Sequence, residues 1–558
     1  MDGSVMTTVA VLPLFGALAS LAALPILGLE SLRSAPLEGA PAPLVGAVEA
    51  GTASAGQPLL LPVDPRFSLR LLARDVDGER DVASVNADES GEIVSTRDLL
   101  IAYTALSRLK PEYRFRTTYS ARGRVTDETL LGDLIVGGRG DPTIDAIRVR
   151  EVANKLAQGG VLRITGAIVL DDSYIRTGES DEVEGMNEEG EPTSLSDDDQ
   201  DAGVPSSEES APVVDLPSVP STVRAFPFAG NRVRVVLHPS RMGGPAFVDV
   251  TPRSPFLTVK NLVKTAPHAR RLKSHALLDG DRALIVIGGA LAPDDPPRTL
   301  TFDLLDGAFS LGHTLNDELR RRGVKVSGRV TAADAGGYRR WLMTDFSPPL
   351  TDVLGLMLRR GGDATSGYYS ESLLRVLAAE SLAGGGARAL GLAVVKTHLE
   401  ESLHIAPSRF TLEPGKTVLP PRVIVDVLAH GTRVFELKSE LEIVLGAASL
   451  HPQLALHLTP ALVPRTRAVA FVDDKRADIA GYLATASGAV FAFALQVTGN
   501  GTTSVDDMWA LVNRTLASLV ASERATTRDP ALRRPDGAGE QRTRPRAKGF
   551  AKPAAPVR

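Results

Sequence analysis

Arg232-Val233-Arg234-Val235-Val236-Leu237 alternates basic and apolar side chains, the two-residue period of a half-buried strand. Arg66-Phe67-Ser68-Leu69-Arg70-Leu71-Leu72 carries a similar signal, and Val161–Leu170, Leu284–Leu291, Ile479–Ala484 and Val490–Leu495 are apolar runs of strand length. Helical patterns interrupt them. Leu99-Leu100-Ile101-Ala102-Tyr103-Thr104-Ala105-Leu106 is a continuous apolar helical run opened by Ser95. Leu315 and Leu319 lie one turn apart, and Gly323 stops that helix. Pro421 starts another, through Val423-Ile424-Val425-Asp426-Val427-Leu428.

Other stretches have no such period. Residues 34–64 are rich in Pro, Ala and Gly and are expected to be a linker. Between Glu179 and Glu209 stand thirteen acidic residues and no Lys or Arg. That segment repels itself and buries no core, so a disordered acidic loop is expected over 179–215. Residues 524–558 hold ten Lys/Arg against three acids, with five prolines, and a disordered basic tail is expected over 523–558. From Gly3 to Leu29 the chain has no charged side chain. Residues 1–33 therefore read as a signal peptide or a membrane anchor, and the protein as exported to the periplasm or cell envelope.

The length of 558 residues calls for two or three domains. With 43% hydrophobic and 23% charged residues, the chain is an ordinary globular protein. The absence of cysteine excludes disulfides, thiolate metal sites and a cysteine nucleophile. The nine histidines show no zinc-ligand spacing, so no metal is expected. No phosphate-loop motif occurs, no cofactor is implied, and an aromatic content of 5% with dispersed basic residues gives no nucleic-acid surface.

Ser95-Thr96-Arg97-Asp98, followed by Pro111-Glu112-Tyr113-Arg114-Phe115, Gly132-Asp133-Leu134 and Gly140-Asp141-Pro142-Thr143, resembles the penicillin-binding D-alanyl-D-alanine carboxypeptidase/endopeptidase family. The resemblance runs in order over roughly residues 65–522. It implies an α/β (α+β) fold: a β-lactamase/transpeptidase-like domain, an antiparallel sheet flanked by helices, with mostly β inserted domains. The peptidase-like domain is expected at 65–125 plus 345–522, and the inserted domains at 126–344.

The same resemblance locates the chemistry, motif by motif. In the family a serine opens the helix as S-x-x-K, and the lysine helps to deprotonate it. Ser95 holds the nucleophile position, and Asp98 replaces the lysine, so the base is lost. The S-x-N position falls on Thr365-Ser366-Gly367, or with another gap on Gly361-Gly362-Asp363. The family's Gly-rich loop is Arg409–Gly415 here, with bulky residues in place of small ones. The K-T-G position, on the edge strand, reads Val469-Ala470-Phe471. Arg465-Thr466-Arg467 substitutes for it only if a bulge re-registers that strand. Lys396-Thr397-His398 and Lys416-Thr417-Val418 match in letters but lie in the wrong segments.

Two functions follow. One is a catalytically inactive, cell-wall-associated pseudoenzyme that meets peptidoglycan or wall polymers. The other is an active serine-type D-Ala-D-Ala carboxypeptidase with a rearranged site, using Ser95 with Arg97 or Lys475 as its cation. Limited proteolysis checks the organisation: it should cut first within 179–209 and beyond Arg524 and leave resistant fragments. Early cleavage inside 345–520 contradicts a single peptidase-like domain there.

Overall fold

A computed structural model describes residues 46–52, 58–175, 225–279, 282–304, 306–360, 364–381, 386–413, 416–485 and 488–522. The expected leader at 1–33, the acidic loop at 179–215, the tail at 523–558 and Gly361-Gly362-Asp363 all lie outside the described residues.

The organising element is a five-stranded antiparallel sheet in the spatial order Thr466–Val472, Arg476–Ala484, Val490–Gly499, Phe67–Asp75, Arg80–Val85. Alternation divides its side chains between two cores. Leu71, Ala73, Ile479, Phe493 and Leu495 pack against Met508, Trp509, Val512 and Leu516 of the helix Val505–Ser522. Leu72, Val469, Ala480, Ala492 and Ala494 face the other way, towards Leu99 and Leu100 of the helix Ser95–Leu109 and Val423 and Val427 of the helix Pro421–Arg433. Both faces of the sheet are thus covered, and each fully buried Leu or Phe contributes roughly 1.5–3 kcal/mol.

Residues 46–63 correct the expected linker. Gly46–Thr52 and Pro58–Val63 pair as an antiparallel hairpin, and Leu61 is fully buried in the core under the Val505–Ser522 helix. Strand pairing and the burial of Leu61 outweigh the Pro and Gly that suggested a linker.

The domain boundary at 125/126 also moves. Arg116–Thr126 is hydrogen-bonded to Thr129–Gly137 and to Arg340–Phe346, inside a seven-stranded sheet of the inserted region. Gly123 and Gly132 face each other across that pair with φ of +138° and +145°. A Cβ on Gly132 would stand 2.1 Å from the Arg122 carbonyl oxygen, so the close approach requires glycine. The run Val161–Leu170 forms two short strands, Arg163–Ile164 and Ile168–Asp171, rather than one.

Two small sheets complete the insertion: Phe247–Thr251, Arg232–His238 and Arg298–Asp303; then Leu257–Thr265, Arg282–Leu291 and Arg270–Asp279. The helix Gly307–Arg321 ends before Gly323, which adopts a φ of +82°.

Candidate active site

Ser95 is the first residue of its helix, and Val94, the residue before it, offers no side-chain cap. The exposed N–H groups of that turn need acceptors. They are met by Asp478, on the strand Arg476–Ala484. One carboxylate oxygen, Oδ2, accepts from the backbone N–H of Val94 and of Thr96, both at 3.0 Å. The Thr96 hydroxyl donates to Oδ1 at 2.9 Å. Asp478 therefore caps the helix from a distant segment, with its charge at the positive end of the helix dipole.

The Ser95 hydroxyl is drawn into the same contact. Its Oγ donates to the backbone carbonyl of Asp478 at 3.0 Å and lies 3.4 Å from Oδ2. Ser95 is only 2% exposed, and Thr96, Asp98 and Asp478 are buried with it. Burial raises the Asp478 carboxyl above the ordinary aspartate value, against the lowering effect of the Thr96, Val94 and Ser95 donors.

Asp98, which the family resemblance leads one to expect at the lysine position, has its carboxylate paired with Arg97, whose Nη2 is 3.2 Å and Nε 3.3 Å away. The same Nη2 donates to Ser370 Oγ at 3.4 Å, which ties this helix to Ala364–Ser381. Arg97 is thereby committed to a carboxylate and a hydroxyl one turn away from Ser95.

Val469, Ala470 and Phe471 lie on the edge strand in unbroken register with Ala480, Ile479 and Asp478. Val469 and Ala470 are buried, one towards each core. Phe471 stands directly opposite Asp478, with the Arg476 guanidinium 5.7 Å above its ring. Arg476 is also paired with Glu92, just ahead of the Ser95 helix, at 3.3 Å.

The regular register removes the bulge that Arg465-Thr466-Arg467 needs. Thr466 pairs with Leu483, about 17 Å along the strand from Asp478. Thr466 is buried, donating to the Leu462 carbonyl, while Arg465 and Arg467 donate to the carbonyls of Thr485 and Glu442. Lys475 sits exposed in the turn before Arg476, its backbone N–H bonded to Asp473. Thr365, Ser366 and Gly367 lie in the first turn of Ala364–Ser381, where the Gly367 carbonyl accepts from Ser370 Oγ. Lys416-Thr417-Val418 is in a strand paired with Thr411–Glu413 and Gly91–Glu92.

The structure thus brings Ser95, Asp98, Arg97 and Phe471 together, and adds Asp478, Thr96 and Arg476, which sequence reasoning missed. A lone carboxylate at the head of the otherwise apolar Ile479-Ala480-Gly481-Tyr482-Leu483 strand was the available signal.

Comparisons with known proteins agree with this architecture. The sequence model of the D-Ala-D-Ala carboxypeptidase 3 (S13) family matches residues 63–418, which include the Ser95 helix and end before the edge strand. D-alanyl-D-alanine carboxypeptidase DacB of Haemophilus influenzae is 20% identical over 333 residues, 59% of this chain and 63% of that protein. The chain therefore aligns with a little under two thirds of that relative's length. The crystal structure of penicillin binding protein 4 (dacB) from Haemophilus influenzae superposes with a TM-score of 0.63 at 19% identity, covering 82% of this chain and 97% of that one. Its complex with a β-lactam gives the same TM-score and identity over 81% and 96%.

The Asp478 contact makes stability depend on pH. A carboxyl whose folded pKa is raised stabilises the fold fully below its unfolded pKa. That contribution is lost as pH rises through the folded pKa. Asp478→Asn keeps an acceptor for the Val94 and Thr96 N–H groups and removes the titration. The stability difference between native protein and variant, from urea melts, should be flat below the ordinary value of 3.8 and move in the variant's favour above it. A difference that does not change with pH, or moves towards the native chain, contradicts this account.

Proposed function

We propose a function from one premise: this chain belongs to the D-Ala-D-Ala carboxypeptidase 3 (S13) family, and it has kept that fold while closing the cleft in which a serine would be acylated. On this reading it is a cell-envelope protein that meets peptidoglycan or wall peptides without cleaving them.

The observation that carries the reading is the Ser95 hydroxyl, buried and donating to the Asp478 carbonyl. Acylation requires Oγ to bond a substrate carbonyl carbon while its proton passes to a base and then to the departing amine. A peptide carbonyl is no base. The Asp478 carboxylate already accepts from Val94, Thr96 N–H and Thr96 Oγ. The Asp98 carboxylate faces Arg97. Loss of a positioned base alone costs about 10²–10⁴-fold. The edge strand also offers no grip on a terminal carboxylate at the expected K-T-G position. Val469, Ala470 and Phe471 supply neither cation nor hydroxyl.

A second reading, a working serine carboxypeptidase, has one observation in its favour: the Asp478 Oδ2 lies 3.4 Å from Ser95 Oγ and would have to take the proton. It requires the sheet and helix to separate before substrate reaches Ser95.

Intact mass after exposure to a penicillin discriminates the two. The native chain should gain no penicilloyl mass, and Asp98→Lys should gain none either, because the K-T-G and S-x-N positions remain unfilled. A stoichiometric adduct that disappears in Ser95→Ala establishes the second reading instead.

Retention on purified sacculi tests the wall contact. Retention that survives deletion of residues 524–558 supports recognition by the folded core. Salt-sensitive retention lost with that deletion assigns it to the tail by charge, and no retention removes the wall-binding reading.

A further inference from the structure

The small sheet Leu257–Thr265, Arg282–Leu291, Arg270–Asp279 buries one face. Val263, Ile285, Ile287 and Leu291 join the main core, with Val259, Leu272 and Ala276 packed against it. The other face is open, and its pairing is continuous apart from a register shift between Arg270 and Lys273. Lys264 and Arg270 flank Ala290; Leu262 and Lys273 flank Gly288; Lys260 and His275 flank Val286; Thr258 and Leu277 flank Leu284. Same-face neighbours along a strand lie about 6.7 Å apart, and the outer strands about 9.6 Å apart.

No acidic residue stands on any of these four rows; Asp279 stands opposite Arg282 on the next. The nearby ion pairs, Arg232–Asp303, His238–Asp249 and Arg253–Asp249, involve none of these cations. Lys260, Lys264, Arg270 and Lys273 are all exposed. So are Leu262 at 52% and Leu277 at 40%. A solvated surface ordinarily mixes charges of both signs and scatters its leucines singly.

We propose that this face docks on a bilayer containing anionic phospholipid, with its cations on the phosphates and Leu262 and Leu277 in the headgroup zone. Charge complementarity selects an anionic partner. Two identical faces would repel each other, which excludes a second copy. The leucines select a membrane over a dissolved polyanion, because only the membrane takes them out of water. This inference stands apart from the state of the Ser95 cleft.

The chain contains no cysteine, so a single Leu262→Cys, labelled with an environment-sensitive fluorophore in the full chain, reports on this face alone. Its emission should shift to the blue with phosphatidylglycerol/phosphatidylcholine vesicles at low salt and stay unchanged with phosphatidylcholine alone. The same label at Leu456→Cys, another exposed leucine, should not shift with either. Lys260→Gln, Lys264→Gln and Lys273→Gln together should weaken the affinity read at position 262 about a hundredfold, from about fivefold for each cation near the surface. Sedimentation with anionic vesicles without a shift at 262 would overturn the proposal by assigning binding to another segment. Absence of sedimentation overturns it outright, as does a shift indifferent to the three substitutions. Lysine-dependent binding of inorganic polyphosphate, with vesicles leaving the probe unchanged, replaces the membrane by a soluble polyanion.

Discussion

One carboxylate joins the two halves of the peptidase-like domain. Asp478 lies 383 residues from Ser95, yet its main chain and side chain together hold the first turn of the Ser95 helix. A helix that starts without a cap of its own leaves N–H groups needing acceptors, and burial makes their neglect costly. Here the acceptor is built into the sheet on which the helix rests. Docking of the helix and satisfaction of its first turn are therefore the same event. The apolar run Leu99–Leu106 can then bury completely against the sheet and its neighbouring helices.

That solution has chemical consequences. Burying a carboxylate costs several kcal/mol, which only good donors offset. The donors available are the groups around the serine. Their engagement holds Ser95 against a strand carbonyl and leaves its hydroxyl proton committed. Across the same strand pair, Phe471 fills the place opposite Asp478, and Arg476 covers its ring while reaching Glu92. A catalytic cleft needs unsatisfied donors and room for substrate. On the proposed reading this one has exchanged both for internal hydrogen bonds and packing, the direction in which stability increases where activity does not oppose it.

Much of the fold was legible because its signals are local and periodic. The Arg232–His238 strand and the Gly307–Arg321 helix with its Gly323 stop follow from spacing, and the Pro421 helix from the family resemblance. The hairpin at 46–63 was not, because Pro and Gly in short strands read as linker until their pairing partner is known. The expected boundary at 125/126 differs for a related reason: the pattern of Arg116–Thr126 does not say which neighbour that strand pairs with. At the site, the expectations for Asp98 and for Val469-Ala470-Phe471 came from position in the family pattern. The role of Asp478 could not, since a helix cap supplied from a distant strand leaves no spacing between the partners.

The distribution of paired and unpaired charge then separates two regions. Around Ser95, Arg97 meets Asp98, Arg476 meets Glu92, and Asp478 meets N–H and O–H donors. On the Leu257–Thr265 sheet, Lys260, Lys264, Arg270 and Lys273 share a face on which the register places one acid, Asp279, opposite Arg282 at its far end. Compensated charges project little field beyond their own contact, whereas a patch of one sign attracts counter-charge over about a Debye length. The electrostatic reach of this part of the molecule thus belongs to the inserted sheet. Whatever the state of the Ser95 cleft, that sheet presents an excess of positive charge to solvent.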